Sequence, residues 1–159
     1  MKKILNVGQG IKLSSKIKKQ NKKIVLVGGC FDILHIGHIK FLEKAKKQGD
    51  FLFVLLEGDK SVKQLKGKGR PVNKQWNRAQ ILSSLETVDY VIMLSEKFKN
   101  QDYDKLIGQL KPSILAVTRD DPNNKHKKRQ EKLLGIKVVY VIKKIKGKST
   151  TEILNNKSQ

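Results

Sequence analysis

Five short runs that are apolar throughout, each separated by a stretch with helical character, restrict this chain more than any other feature. They are KIVLVG (23–28), FLFVLLE (51–57), DYVIML (89–94), SILAV (113–117) and IKVVYVI (136–142). A strand that faces water on one side alternates apolar and polar residues; these do not, so both of their faces must be covered. Between them, 37–47 places Ile39, Leu42 and Ala45 at i, i+3 and i+6. The segment 74–86 places Trp76, Ala79, Leu82 and Leu85 on one helical face. Helices are also expected over 102–110 and 122–134, with a short one after Ser149, and a Gly- and Lys-rich loop over 58–73.

Strands alternating with helices in this way give a parallel sheet between helical layers. The expected fold is a Rossmann-like α/β/α sandwich with a five-stranded parallel sheet, in one domain over 23–155. The 159 residues suffice for a core without disulfides. Residues 1–22 carry seven lysines and no acidic residue, and their apolar positions show no clean period. They are expected to form a basic N-terminal extension, and 156–159 a C-terminal tail. No apolar run approaches the roughly 20 residues of a membrane span, and the first ten residues lack the apolar core of a signal peptide, so a cytoplasmic protein is expected. A single cysteine, Cys30, excludes an intrachain disulfide framework and any multi-cysteine metal site.

The formal charge of +21 invites a nucleic-acid reading. Only four of the 35 basic residues are arginine, however, and aromatic residues make up 6%. Base readout favours the arginine fork, and single-strand binding favours aromatic stacking platforms. A dedicated nucleic-acid binder is therefore disfavoured against an enzyme that handles phosphates.

In open α/β sheets ligands bind beyond the carboxyl ends of the strands. The first such end here is GGCFDILHIGH (28–38). Its glycines allow close backbone approach, and His35 and His38 stand three apart around Gly37 at the entry to a helix. That spacing sets two imidazoles beside free backbone N–H groups at the positive end of the helix dipole, an arrangement suited to phosphate. Further along, Ser149 followed by Glu152 is a capping-box pattern that starts a helix.

The stretch Gly29-Cys30-Phe31-Asp32-Ile33-Leu34-His35-Ile36-Gly37-His38 resembles the G-x-F-D-x-L-H-x-G-H signature of the cytidylyltransferase-like nucleotidyltransferases. The segment 65–92 resembles the bacterial heptose 1-phosphate adenylyltransferase domain, as does Lys148-Ser149-Thr150-Thr151-Glu152-Ile153. The resemblance implies transfer of a nucleotidyl group from a nucleoside triphosphate, ATP before CTP, to a phosphorylated acceptor such as heptose 1-phosphate, with release of pyrophosphate and Mg2+ carried on the triphosphate. It implies catalytic roles for His35, His38 and Lys66. Nucleotide contacts are implied for Gly29, Cys30, Phe31, Asp32, Gly37, Lys63, Arg78, Asp120, Ser149, Thr150 and Thr151, with no protein metal ligands. Asp32 could instead fix the loop backbone. Relatives are often dimers, so a homodimer is a candidate state. Departures from the heptose pattern keep a glycerol 3-phosphate cytidylyltransferase and an FAD synthase open: Gly58-Asp59 replaces Ser-Asp, and Thr118-Arg119-Asp120-Asp121 replaces G-G-D-Y.

Overall fold

The strand at 24–29 runs through the middle of the sheet because it is the most thoroughly apolar, with Ile24 to Val27 at 2% exposure or less. The computed structural model describes residues 2–96, 98–121, 124–143, 145 and 149–155. In chain order the elements are β1 (Ile4–Leu5), α1 (Val7–Lys19), β2 (Ile24–Gly29), α2 (Ile36–Lys46), β3 (Phe51–Leu56), α3 (Asp59–Lys66), α4 (Gln75–Ser83), β4 (Tyr90–Met93), α5 (Asn100–Leu110), β5 (Ile114–Thr118), α6 (Asn124–Leu134), β6 (Lys137–Ile142) and α7 (Thr150–Asn155). The strands form one parallel sheet in the order β1-β4-β3-β2-β5-β6. The chain runs outward from β2 through β3 to β4, then returns to the other side of β2 at β5. That reversal opens a crevice at the carboxyl end of β2, where open sheets bind ligands.

Alternation along the strands divides the core into two layers. Val25, Val27, Leu52, Val54 and Leu56 face Phe41, Leu42 and Ala45 of α2 and Ala79 and Leu82 of α4. Ile24, Leu26, Phe53 and Leu55 face Ile17 of α1 and Leu106, Ile107 and Leu110 of α5. Among the described residues no helix is long and apolar enough to cross a membrane.

Among the described residues the sheet has six strands where five were expected. The sixth is β1, in the segment expected to be an extension: Ile4 pairs with Val91 and Leu5 with Ile92. Lys3 fixes this edge by donating from Nζ to the carbonyls of Leu85 (3.2 Å) and Val88 (2.9 Å). Two residues are too few to stand out as an apolar run. The helix behind them was hidden for another reason: the fully buried positions of α1 are Gly10, Ser14 and Ile17, and only the last of these is a large apolar side chain, with Val7, Ile11 and Leu13 packing at the margin. The loop expected over 58–73 contains α3, in which only Val62 is buried. Trp76 was expected on the buried face of its helix, yet it is 49% exposed, and Arg78 is buried beside Ala79 and Leu82 instead.

Gly10 lets α1 lie directly on β4. A Cβ there would come within 2.5 Å of Ile92 Cδ1, whereas one at Gly8 would meet only Asn6 Oδ1 at 3.6 Å. Both Gly→Ala changes add helix propensity, and only the one at Gly10 overpacks the core. Gly10→Ala should therefore be less stable than Gly8→Ala by about 1–3 kcal/mol in urea unfolding; equal stabilities would mean that α1 does not pack as described.

Candidate functional site

The carboxyl ends of β2 and β3 are held by one buried cation. Arg78 is fully buried, and its guanidinium donates to three backbone carbonyls: Cys30 (2.6 Å), Asn73 (2.9 Å) and Glu57 (2.8 Å). It also pairs with Asp59 at 2.7 Å. All three of its nitrogens are engaged by the protein. The sequence offered Arg78 as a phosphate ligand or a surface residue; the structure places it beneath the loops as a brace.

Asp32 plays the matching part from the other side. At 2% exposure, its carboxylate accepts the N–H groups of Val72 and Asn73 and pairs with Arg70 Nε at 2.5 Å. Burial alone would raise its pKa, but the Asn73 and Val72 N–H groups and the Arg70 charge outweigh it and hold the carboxyl ionised. Asp32 thus fixes the 70–73 loop against the GGCFD turn. Between these anchors Phe31 adopts a left-handed backbone (φ 44°), and its ring lies over Gly29, where a Cβ would approach Phe31 Cε2 to 2.9 Å. Glycine is needed there for that approach.

The turn delivers the histidines. His35 is the N-cap of α2, and its Nδ1 accepts the Gly37 N–H at 3.1 Å, which leaves the proton of the neutral ring on Nε2. His38 stacks on His35 with ring centroids 3.8 Å apart and leans on Phe31 at 5.1 Å. Burial, then the neighbouring His35 and Lys66, lower the His38 pKa to about 4, with the Ile33 carbonyl opposing. Burial also lowers that of His35, against the pull of Glu152. Both shifts favour the neutral rings; the Ile33 carbonyl faces His38, whose Nδ1 is buried without a well-formed hydrogen bond.

The C-terminal motif is brought to the same place. Thr150, itself buried, donates from Oγ1 to the Ile33 carbonyl at 3.0 Å. Ser149 Oγ accepts the Glu152 N–H (3.2 Å), and Glu152 accepts the Ser149 N–H (3.0 Å). The capping box thus forms as the spacing predicts, and Thr151 is left exposed at the helix start. Lys63 and Lys66 are exposed on α3, whose first N–H groups, those of Asp59 and Lys60, are capped by Glu96. The Lys66 charge is felt at both His38 and Cys30. Burial raises the Cys30 thiol pKa. Asp120 lies on the exposed turn after β5, and its neighbour Arg119 lines a cavity of about 340 Å³ with Asn124, Lys128 and Tyr140.

Sequence reasoning missed three groups at the end of β3. Glu57 lies beside Cys30, accepts a short bond from the Tyr103 hydroxyl, and sits within electrostatic reach of Lys127. Burial raises the Glu57 carboxyl and lowers the Lys127 ammonium. The one available signal was a carboxylate closing an otherwise apolar run. Among the described residues, no group of three or more His, Cys, Asp or Glu could hold a metal. Asp32, the carboxylate of the signature, is turned into the Arg70 pair.

The family model for cytidylyltransferase-like proteins matches residues 26–156. The chain is 45% identical over 143 residues to the bifunctional protein HldE of Aliarcobacter butzleri, a match covering 90% of this chain and 28% of that protein. It thus spans less than a third of the length of that relative. Among solved structures it is similar to the lipopolysaccharide core biosynthesis protein of Thermoplasma volcanium, with 32% identity, a TM-score of 0.61, and coverage of 78% of this chain and 97% of that one. The pantoate-beta-alanine ligase of Francisella tularensis shares the fold, with 20% identity and a TM-score of 0.71 over 98% of this chain and 72% of that one.

Two outcomes follow from these electrostatics. Arg78→Lys keeps the charge but not the fork, so it should cost about 3 kcal/mol of stability by denaturant unfolding. Wild-type stability with weakened nucleotide binding would return Arg78 to the ligand. For His38 the folded pKa lies below its ordinary 6.5, so between pH 6.5 and about 4 the unfolded chain binds more protons and stability falls with acidification. Unfolding curves across that window should lose about 2 kcal/mol more in the wild type than in His38→Gln.

Proposed function

We propose that this chain, which belongs to the cytidylyltransferase-like family, transfers a nucleotidyl group from a nucleoside triphosphate, ATP before CTP, to the phosphate of a sugar phosphate such as heptose 1-phosphate. The observation that carries the reading is the stacked pair His35–His38 at the start of α2, tied to α7 through Thr150 and the Ile33 carbonyl. The likeness of segment 65–92 to the adenylyl enzymes supports ATP. That the Thermoplasma relative is described as a lipopolysaccharide core biosynthesis protein agrees with a sugar acceptor. The reactants are small anions found in the cytoplasm, and nothing in the reaction calls for a membrane.

In this reading an acceptor phosphate oxygen attacks the α-phosphorus in line. A new P–O bond forms as the bond to the β-phosphate breaks, and pyrophosphate leaves with the electron pair. A phosphate dianion needs no deprotonation, so the protein supplies placement and charge neutralisation rather than a general base. The neutral imidazoles donate their N–H groups to the phosphate oxygens. Negative charge arriving at the α-phosphate favours the protonated rings, so donation strengthens as the transition state is approached. Lys66 adds a point charge from α3 and Lys63 a second, one turn away. Mg2+ on the triphosphate supplies further neutralisation.

The test is pyrophosphate release with ATP and CTP, each against heptose 1-phosphate, glycerol 3-phosphate and FMN. Release with one pair is expected, falling by about 10²–10⁴-fold in His38→Ala, while nucleotide affinity falls less than about tenfold. No release with any pair would sink the reading; release undiminished in His38→Ala would remove His38 from the chemistry.

A further inference from the structure

Resting on that reading, we infer that Glu57 forms the acceptor end of the cleft and hydrogen-bonds a hydroxyl of a polyhydroxylated phosphate acceptor. Three observations lead there.

The first is position. The Glu57 N–H donates to the Gly29 carbonyl at 3.2 Å, continuing the pairing in which Gly28 lies opposite Leu55 and Gly29 opposite Leu56. Glu57 is therefore the neighbour of Cys30, one step beyond the strands, in the same crevice as the histidines. Its side chain extends the row Phe53–Leu55 toward α5, whereas Phe31, His35 and His38 lie on the α2 side of the sheet. In an in-line displacement the attacking and leaving groups stand on opposite sides of the α-phosphorus. With the triphosphate along α2 and α7, the attacking molecule comes from the α5 side, past Glu57.

The second observation is valence. One carboxylate oxygen takes the Tyr103 hydroxyl, which orients the group. The other, Oε2, is buried and makes no well-formed hydrogen bond, although the Ser61 hydroxyl lies near enough to favour the ionised carboxyl. A buried carboxylate oxygen left in that state is costly, and a ligand hydroxyl would satisfy it.

The third is charge. Lys127 and Arg78 lie within electrostatic reach of Glu57, so this end of the cleft is not closed to an anionic acceptor. A neutral hydroxyl is the partner that suits a carboxylate placed this close to a phosphate path.

The experiment uses the best acceptor from the panel above, its monodeoxy analogues, and the full chain carrying Glu57→Gln. Gln keeps the shape and the bond to Tyr103 but not the charge. The acceptor KM should rise about tenfold or more, with the triphosphate KM unchanged. One monodeoxy analogue should be a poorer acceptor for the wild type, and that difference should shrink severalfold in Glu57→Gln. Tyr103→Phe, which frees the carboxylate without removing it, should move acceptor KM in the same direction by less. An unchanged acceptor KM in Glu57→Gln overturns the inference and leaves the reaction standing. A rise in triphosphate KM instead, or an equal rise in both together with lost thermal stability, assigns Glu57 to the nucleotide or to the fold and also overturns it. If the wild type releases no pyrophosphate with any pair, the reading of the reaction fails and this inference with it.

Discussion

The site depends on the buried guanidinium of Arg78. The carboxyl ends of two parallel strands leave carbonyls that no further strand residue can satisfy, and loops leaving such ends would otherwise diverge. Arg78 collects the carbonyls of Cys30, Glu57 and Asn73 and holds them around one cation, with Asp59 as counterion. Asp32 does the complementary work for N–H groups, gathering those of Val72 and Asn73 and pairing with Arg70. One residue thus satisfies orphan acceptors and the other orphan donors, and between them the GGCFD turn has little freedom. Breaking either would leave buried polar groups unpaired, which is far more costly than losing a surface ion pair.

Rigidity there matters because the imidazoles are preorganised at a cost. Two rings 3.8 Å apart, near Lys66 and partly shielded from water, are held neutral in the free protein. Burial is the main cause that disfavours their positive charge, with Lys66 adding to it at His38, and an arriving anion would offset that cost. The +21 charge fits the same picture: many of its lysines lie on exposed helix faces, where they draw anions to the molecule without specifying any one of them.

The opposite sides of the sheet end divide the work between them. On the α2 side stand the histidines and the capped start of α7; on the α5 side stand Glu57, Tyr103 and Lys127. In the proposed reading, donors on one side and an oriented carboxylate on the other would hold two anions of different character, one recognised through its phosphates and the other through its hydroxyls as well.

Much of this was legible in the linear chain. Five largely apolar runs set the parallel sheet; four are buried within it, and the fifth, β6, is half-buried at its edge. His35, Gly37 and His38 announced a helix start after a strand, and Ser149 with Glu152 announced another, because capping and spacing are local physics that operate over three or four residues. What the chain did not reveal by itself depended on partners far away in sequence. The strand Ile4–Leu5 exists because Val91 and Ile92 are there to pair with it, and α1 could be buried through Gly10 and Ser14 because β4 accepts a close approach rather than a large side chain. The helix at Asp59–Lys66 relies on a cap from Glu96. The role of Arg78 was decided by three carbonyls from three separate segments, and that of Glu57 by a hydroxyl 46 residues away. Periodicity and capping are written in neighbouring residues; the burial of a charge, and the partner that makes it tolerable, are fixed only when the chain has folded around it.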